Sequence, residues 1–427
     1  MPNNIAFLTL GCAKNEVDTS KMQEKLIRAG YDIVDIDSSY DALVINSCAF
    51  IQPAIEESID TILDAADQKI IKNGAAKLIV TGCMPARFGA ELDAELSEVD
   101  RFIPCAEEAN IVSVVDEVLD NPSHENRKVE FSYGPSEYVK ISDGCSRHCA
   151  FCTIPSIRGP YHSFLYDDIY QEVSFKVSGG AKEIVLIAQD SGIWGLDLKP
   201  RDCLASLMER LAKAFPNTWF RVMYLEPEGI TDELIRVMST YPNICNYLDI
   251  PLQHCDPTIL KAMNRTGSKQ EFEKLVSKLR QEIPDITLRT TLIVGYPGET
   301  DEQFDELCDF ISEVEFDYVG VFAFSPEEGT VAAQLPEQID DETKQGRLQT
   351  IRDIADAVSS QRIAQRIGSQ YDLLILGTEE DGQLYGRCQC QAPDVDGVTY
   401  IESGEIEQIV PVTISDTLLY EMEASRD

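Results

Sequence analysis

The sequence is poor in basic residues and in histidine. It holds 36 Lys and Arg against 74 Asp and Glu, with only four His, so its formal net charge at pH 7 is −38. A chain this acidic repels phosphate backbones and attracts basic surfaces. The composition therefore favours a basic protein as the partner over a nucleic acid.

Long apolar runs and an amino-terminal targeting segment are also missing. No stretch approaches the roughly 18 apolar residues that span a bilayer. The start, "MPNNIAFLTLGCAKNEVD", has no basic region and turns polar soon after a short apolar run, so we expect a cytosolic protein without a membrane anchor. Thirteen cysteines in a reducing compartment favour metal ligation or burial over disulfides.

The 427 residues are too many for one ordinary core, and three regions differ in pattern. In residues 1–120, the short apolar runs "IAFLTL", "ALVINS" and "KLIVTG" alternate with amphipathic stretches. Strand and helix in alternation predict a parallel α/β domain of Rossmann-like form. The polar segment 121–137 is predicted to be a linker.

Residues 138–335 repeat the alternation. The runs "YVKIS", "EIVLIA", "FRVMYL", "YLDIPL", "TLRTTLIVG" and "YVGVFAF" predict six parallel strands and a partial (βα)6 barrel. A charged amphipathic helix over 336–367 connects this barrel to residues 368–427. Short alternating runs broken by Gly and Asp predict a small antiparallel β-barrel there.

Three cysteines lie within eight positions of "SDGCSRHCAFCTIP": Cys145, Cys149 and Cys152. A closed zinc site takes four ligands, and His148 is a poor fourth because adjacent residues rarely both turn toward one ion. An iron–sulfur cluster held by three cysteines keeps one iron open for a ligand. The loop follows a predicted barrel strand, at the end where barrels carry their chemistry. We favour a cluster over zinc or buried thiols and expect His148 to be exposed.

Three more cysteines, Cys12, Cys48 and Cys83, each fall just past a predicted strand of the first region. The carboxyl ends of parallel strands share one edge of the sheet, so these residues should meet in space. Chance burial is the alternative reading. Cys105 also follows a possible strand, but a fourth cysteine would close the site, and we do not count it. The pattern predicts a second open cluster.

The remaining cysteines are predicted to be buried or half-buried side chains. Cys388 and Cys390 are expected on one face of a strand in the third region. The others lie in helical or strand contexts: Cys203, Cys245, Cys255 and Cys308.

CxxxCxxC with an aromatic residue, Phe151, before the last cysteine resembles the radical S-adenosylmethionine enzymes. The resemblance implies that the amino and carboxylate groups of S-adenosylmethionine chelate the open iron. It also implies cofactor contacts by Gly179 and Gly180 in "SGGAKEIVLIAQD" and by Gly295 in "IVGYPGET". Each glycine alone fits an ordinary loop or helix end equally well.

Glu226 and Gln253 lie at predicted barrel strand ends. Either side chain is a candidate to bind the cofactor. A structural polar residue at the barrel rim is the alternative.

Two open clusters and a carboxyl-terminal β-barrel resemble the methylthiotransferases over nearly the whole chain. Members of that group carry an amino-terminal methylthiotransferase domain, a radical barrel and a TRAM domain. The resemblance implies two 4Fe–4S clusters and two uses of S-adenosylmethionine, as methyl donor and as the source of a hydrogen-abstracting radical. It implies a shared cavity, no catalytic acid or base, a reductant such as flavodoxin or ferredoxin, and a monomer.

"LGCAKNEVDTS", "CTIPSIRG", "FSPEEGT" and "APDVDG" resemble the RimO-type branch, which modifies the β-carbon of an aspartate in small-subunit ribosomal protein 12. Residues 368–427 hold thirteen Asp or Glu but only Arg387 and Arg426 as basic residues, which suits a basic protein substrate. Asp394 and Asp396 of "APDVDG" either attract this substrate or cap a tight turn. A tRNA adenosine methylthiotransferase and a two-cluster electron carrier remain the alternatives.

Overall fold

The computed structural model describes residues 3–120 and 127–426, and residues 121–126 of the predicted linker lie outside these ranges. The three regions differ in architecture as the sequence predicts. No helix among the described residues is long and apolar enough to cross a membrane.

The first region is a five-stranded parallel sheet with the strand order β2-β1-β3-β4-β5. Its strands are β1 (Asn4–Thr9), β2 (Asp32–Val34), β3 (Ala42–Ser47), β4 (Lys77–Gly82) and β5 (Arg101–Pro104). Its helices are α1 (Ala13–Ala29), α2 (Gln52–Asp67), α3 (Lys69–Lys72), α4 (Cys83–Phe88), α5 (Glu91–Glu95) and α6 (Ile111–Leu119). All six residues of the central strand β3 are buried, as a parallel strand covered on both faces requires.

The register of this sheet brings the carboxyl ends of its central strands level. Thr9 pairs with Asn46, and Ser47 pairs with Gly82. The chain segments that leave β1, β3 and β4 therefore start side by side at one edge.

The second region contains the six predicted barrel strands, which are confirmed, together with a short hairpin. Its strands are β6 (Ser136–Lys140), β7 (Ser142–Asp143), β8 (His162–Ser163), β9 (Glu183–Ile187), β10 (Trp219–Val222), β11 (Tyr247–Gln253), β12 (Thr287–Val294) and β13 (Tyr318–Ala323). Its helices are α7 (Ile154–Arg158), α8 (Tyr166–Ser178), α9 (Leu204–Ala214), α10 (Asp232–Thr240), α11 (Pro257–Ala262), α12 (Lys269–Glu282) and α13 (Asp301–Val314). The first strand begins at Ser136, inside the predicted linker.

The barrel strands form two parallel halves, β10-β9-β6 and β11-β12-β13. A parallel bridge between Phe220 and Ile244 joins the halves, and the Leu225 amide donates to the Asp249 carbonyl at 2.9 Å. Strands β6 and β13 are the outer strands of these halves, so the six strands curve into a partial barrel.

Helix α14 (Asp341–Ala364) leads from the barrel into the third region, which is a closed five-stranded barrel. Its strands are β14 (Gln370–Thr378), β15 (Leu384–Cys388), β16 (Thr399–Ile401), β17 (Ile409–Leu418) and β18 (Glu421–Arg426). The predicted small antiparallel β-barrel is confirmed, with four antiparallel strand pairs and one parallel pair between β16 and β18. Cys388 and Cys390 are both buried, but Cys390 lies beyond the end of β15.

The small barrel packs against the face of the partial barrel that its helices leave uncovered. Alternate strand residues such as Val185 and Ile187 share one apolar cluster with the core of the small barrel. Buried ion pairs cross the same contact. Glu183 accepts from Arg221 at 2.9 Å and from Arg387 of the small barrel at 2.7 Å. The third region is therefore firmly joined to the second.

Candidate functional site

The barrel cysteine loop connects the end of β6 to the start of α7 and folds back on itself. The Cys145 amide donates to the Gly159 carbonyl at 3.1 Å, and the Ala150 amide donates to the Met263 carbonyl at 2.9 Å. Gly144 has φ +70°, and a Cβ there would lie 2.3 Å from the Pro160 carbonyl oxygen. Only glycine allows this close return of the chain.

The three sulfurs of this loop are half-buried neighbours. Burial, together with the charges of Cys149 and Cys145, raises the pKa of Cys152 to about 12. Burial raises the pKa of Cys149, and the Arg265 guanidinium, which donates to Cys149 Sγ at 3.8 Å, partly offsets that rise. His148 is exposed, as predicted, with φ +53° and its carbonyl bound by Asn264.

The cysteines of the first region follow three neighbouring strand ends. Cys12 is the residue before α1, Cys48 follows β3, and Cys83 opens α4. Gly11 has φ +98°, and a Cβ there would lie 2.9 Å from Cys48 Cβ. Burial raises the pKa of Cys48 to about 11, with the charges of Cys83 and Cys12 adding to the shift. The sheet thus brings together three residues that are far apart in sequence.

Cys105 lies against this second group. Contact with the Cys105 side chain, together with the Arg158 guanidinium, lowers the pKa of Cys83 to about 6 despite burial. The sequence analysis set Cys105 aside, and the structure places it beside one of the predicted ligands.

The two cysteine groups face one another across the interface between the first two domains. Thr153, next to Cys152, donates to the Phe50 carbonyl, two residues beyond Cys48, at 3.2 Å. Arg87 of the first domain donates to the Ala49 carbonyl at 2.8 Å and to Glu327 of the barrel at 3.0 Å. Glu327 belongs to the segment "FSPEEGT", which therefore serves as an interdomain contact.

Within residues 3–120 and 127–426, no three His, Cys, Asp or Glu side chains converge on a point that would hold one metal ion. In a cuboidal cluster each cysteine binds a different iron, so its sulfurs stand further apart than ligands of a single ion. Three thiols with an arginine N–H beside one of them, present in both groups, fit such a cluster.

Comparison with known proteins assigns each region to a family. Residues 4–104 match an uncharacterized protein family, UPF0004, and residues 139–311 match the radical SAM superfamily. Residues 367–426 match the TRAM domain.

Relatives similar over the whole chain carry the name ribosomal protein uS12 methylthiotransferase RimO. The one from Geobacter sulfurreducens is 39% identical over 98% of this chain and 97% of its own length. The one from Clostridioides difficile is 40% identical with the same coverage. The chain belongs to the RimO family of methylthiotransferases.

Solved structures share the fold at low sequence identity. The radical S-adenosylmethionine methyltransferase TsrM from Kitasatospora setae has a TM-score of 0.56 and 13% identity. The match covers 78% of this chain and 74% of TsrM. The cobalamin-dependent radical enzyme OxsB has a TM-score of 0.52 and 12% identity, over 83% of this chain and 56% of OxsB.

Four residues expected to contact the cofactor lie at the carboxyl ends of the barrel strands or on the cysteine loop. Glu226 follows β10 and pairs with Arg265, and burial raises the pKa of Glu226 to about 7. Gln253 ends β11 with φ +70°. Gly295 follows β12, and its amide donates to Glu299 at 2.9 Å. Phe151 packs against an apolar group that includes Ala150 and Met263.

Gly179 and Gly180 lie at the opposite end of the barrel, before the start of β9. A Cβ on Gly179 would lie 2.5 Å from the Tyr133 ring, and the Gly179 carbonyl accepts from the Tyr133 amide. A five-residue strand separates the two ends by about 17 Å. The prediction that these glycines contact a cofactor on the cysteine loop is therefore wrong, and they instead let the last part of the predicted linker pack closely.

The sequence analysis missed the polar residues that follow β9. Arg147 of the cysteine loop pairs with the buried Asp190 at 2.5 Å, and Gln189 donates to Asp143 at 3.2 Å. A polar pair directly after an apolar barrel strand was the available signal, because those positions form the mouth of the barrel.

The segment "APDVDG" lies against the barrel domain and is only partly exposed. Asp394 accepts from the Tyr138 hydroxyl of β6 at 2.5 Å. The Asp396 side chain is fully buried, 3.8 Å from Arg289, and accepts from the Ala392 amide at 2.8 Å. Asp396 holds this turn, as the alternative prediction has it, and its burial removes it from any surface that could attract a substrate. Asp394 is exposed, so the prediction that it attracts the substrate stays a prediction.

Proposed function

We propose that this chain is a radical S-adenosylmethionine methylthiotransferase that adds a methylthio group to the β-carbon of an aspartate in ribosomal protein uS12. The observation that carries the proposal is that two three-cysteine groups, from different domains, face each other across one interface. A radical enzyme with one cluster has no use for the second group, and an electron carrier would close the barrel cluster with a fourth cysteine.

We assign one 4Fe–4S cluster to Cys12, Cys48 and Cys83, and a second, with S-adenosylmethionine, to Cys145, Cys149 and Cys152. When bound, these groups would supply a reducing electron, hydrogen-atom abstraction and the transferred methyl group, and the amino-terminal cluster would hold the sulfur that is transferred. Cofactors thus carry the difficult chemistry, and the chain supplies position and water exclusion.

The surroundings of the barrel loop support this division of labour. Arg265 holds Cys149 and pairs with Glu226, so both charged side chains are fixed before any cofactor binds. Phe151 and its apolar neighbours form a wall that keeps water from the loop. Gln253 and Gly295 complete the proposed lining at the mouth of the barrel. Hydrogen-atom abstraction needs no acid or base, and we assign none.

The charge of the chain supports a basic protein substrate. The TRAM domain carries thirteen acidic residues, and one of its two arginines, Arg387, is buried against Glu183. An acidic surface of this kind attracts a basic protein and repels tRNA. We further propose that the enzyme acts as a monomer in the cytoplasm and takes electrons from a flavodoxin or a ferredoxin.

Mass analysis of a deletion strain tests the proposal directly. We expect uS12 from that strain to lack the methylthio mass on its aspartate, and this chain expressed from a plasmid to restore it. Normal uS12 together with missing methylthio groups on tRNA adenosines would instead assign the chain to tRNA modification.

A further inference from the structure

Arg158 is the last residue but one of the segment "CTIPSIRG", which none of the roles described above explains. It is the last residue of α7, six residues after Cys152, and therefore belongs to the barrel domain. Its side chain is 3% exposed. A guanidinium this deeply buried needs partners for most of its N–H groups.

The two terminal nitrogens of Arg158 have different partners. One donates to Asp18 of the first domain at 2.9 Å and to Asp143 of the barrel at 3.3 Å. The other donates to Asn15 Oδ1 at 2.9 Å and to Cys83 Sγ at 3.9 Å. The fork thus crosses the interface and ends on a sulfur of the amino-terminal group.

The two carboxylates do not depend on Arg158 alone for charge balance. Lys140 of β6 contacts Asp18 at 2.5 Å and Asp143 at 2.7 Å. Asn15 is held in turn, because its amide donates to the Leu10 carbonyl at 2.9 Å and to the Ser47 carbonyl at 3.2 Å. The nitrogen that faces Asn15 and Cys83 is therefore aimed by a rigid frame.

We propose that Arg158 is a positioning residue that fixes the amino-terminal cluster against the barrel cluster and donates an N–H to the Cys83 thiolate. The proposal rests on the function proposed above. The planar guanidinium of Arg158 fixes both the distance and the orientation of the groups that it binds, which a lysine ammonium does not. A hydrogen bond to a ligand sulfur also raises the reduction potential of an iron–sulfur cluster.

The test compares Arg158→Gln and Arg158→Lys with Arg87→Gln in the full chain. Arg87 is the matched control because it is buried and crosses the same interface to Glu327, and it also donates to the Ala49 carbonyl within its own domain. Each change is made in wild type and in a variant with Cys145, Cys149 and Cys152 replaced by Ala, in which only the amino-terminal cluster is measured. Redox titration followed by electron paramagnetic resonance gives its potential.

We expect Arg158→Gln to lower the potential of the amino-terminal cluster and Arg87→Gln to leave it unchanged. Arg158→Lys should keep the melting temperature near that of wild type, since it retains the charge beside Asp18, yet still lower the potential. With both clusters present, Arg158→Gln should release roughly tenfold more 5′-deoxyadenosine per methylthio product, because the two sites are misaligned.

An Arg158→Gln protein with unchanged potential and unchanged product ratio would overturn the role of Arg158 and leave the proposed function intact. An equal shift of the potential in Arg87→Gln would mean that Arg158 is only a general interface contact, and it would also overturn the role proposed for Arg158. If Arg158→Gln does not fold, the Arg158→Lys titration decides by itself. Absence of iron at Cys12, Cys48 and Cys83 in the barrel variant would overturn the proposed function as well.

Discussion

The two cysteine groups are chemically alike but are built in different ways. The barrel group lies within one loop, residues 145–152, whose return is fixed by Gly144 and by two backbone hydrogen bonds. The amino-terminal group takes one residue from each of three loops, and only the register of β1, β3 and β4 brings them together. The first is a property of local sequence, and the second is a property of a folded sheet.

The two groups also differ in what sets the pKa of their thiols. In the barrel loop, burial dominates and raises the pKa of Cys152 to about 12. In the amino-terminal group, Cys105 and Arg158 reach Cys83 from elsewhere in the chain and lower its pKa to about 6. Contacts between residues distant in sequence therefore both assemble the amino-terminal group and set the pKa of one of its thiols.

The largest expected effect comes from removing the barrel group. Replacing Cys145, Cys149 and Cys152 with Ala should lower the iron content after anaerobic reconstitution from about eight to about four per chain. All reductive cleavage of S-adenosylmethionine should stop, because the electron source beside the cofactor is gone. Iron analysis and chromatography of 5′-deoxyadenosine measure both effects. Zinc without visible absorption in the wild-type protein would contradict the whole assignment.

Removing the other group should separate the two roles. With Cys12, Cys48 and Cys83 replaced by Ala, we again expect about four irons per chain. This variant should still release 5′-deoxyadenosine under reducing conditions but form no methylthio product, since the site for the transferred sulfur is lost. Mass spectrometry of uS12 measures the product. If this variant loses all cleavage and the barrel variant keeps it, the two roles are reversed.

Gly82→Ala should damage the amino-terminal group alone. Gly82 has φ +97°, and its new Cβ would lie 2.5 Å from the Ser47 carbonyl oxygen, in the register that levels the strand ends. We expect a cost of about 2–4 kcal/mol in stability and loss of roughly half the iron. Calorimetry and iron analysis measure these.

Gly89→Ala is the matched control for this change. Gly89 also has a positive φ, +56°, but a Cβ there meets nothing within 4 Å. It should cost only about 1 kcal/mol and leave the iron content unchanged. Equal effects at both glycines would mean that backbone conformation, not strand register, is what matters.

The smallest expected effect lies outside both groups, at Asp396. Burial raises the pKa of Asp396 to about 6. Between about pH 4 and pH 6 the folded chain keeps a proton that the unfolded chain loses, so the free energy of unfolding should fall as pH rises through this window. Asp396→Asn removes that slope and should gain roughly 1–3 kcal/mol relative to wild type across it. Denaturant unfolding at several pH values measures the difference.

Asp394→Asn controls for Asp396→Asn, because Asp394 bonds Tyr138 at the edge of the same segment. Both variants should keep full iron content. That result would show that the third domain contributes to neither cysteine group. A wild-type protein that gains stability over Asp396→Asn as pH rises would show that Arg289 outweighs burial.

Local pattern was enough for the elements and for the barrel loop. The runs "ALVINS" and "KLIVTG" are strands to the residue, because continuous β-branched apolar sequence has few other stable conformations. Cys145, Cys149 and Cys152 are so close in sequence that their spacing alone predicts that the three sulfurs lie close together. The amino-terminal group followed from the rule that parallel strands end at one edge.

Local pattern failed where the partner of a residue is distant in sequence. "SGGAKE" resembles a cofactor loop, but Gly179 lies against Tyr133, at the far end of the strands. "APDVDG" has the composition of a solvated acidic turn, but Asp396 is buried beside Arg289. Composition does not reveal which surface another domain will cover.

The sequence by itself determined three domains, two sets of three cysteines and an acidic surface, because strand pattern, ligand spacing and charge are properties of short segments. The tertiary structure alone decided which contacts bring the two sets together, that Cys105 and Arg158 reach Cys83, and that the TRAM domain closes against the barrel. Those contacts join residues up to hundreds of positions apart. They form only when burial and ion pairing across a whole interface repay the loss of conformational freedom.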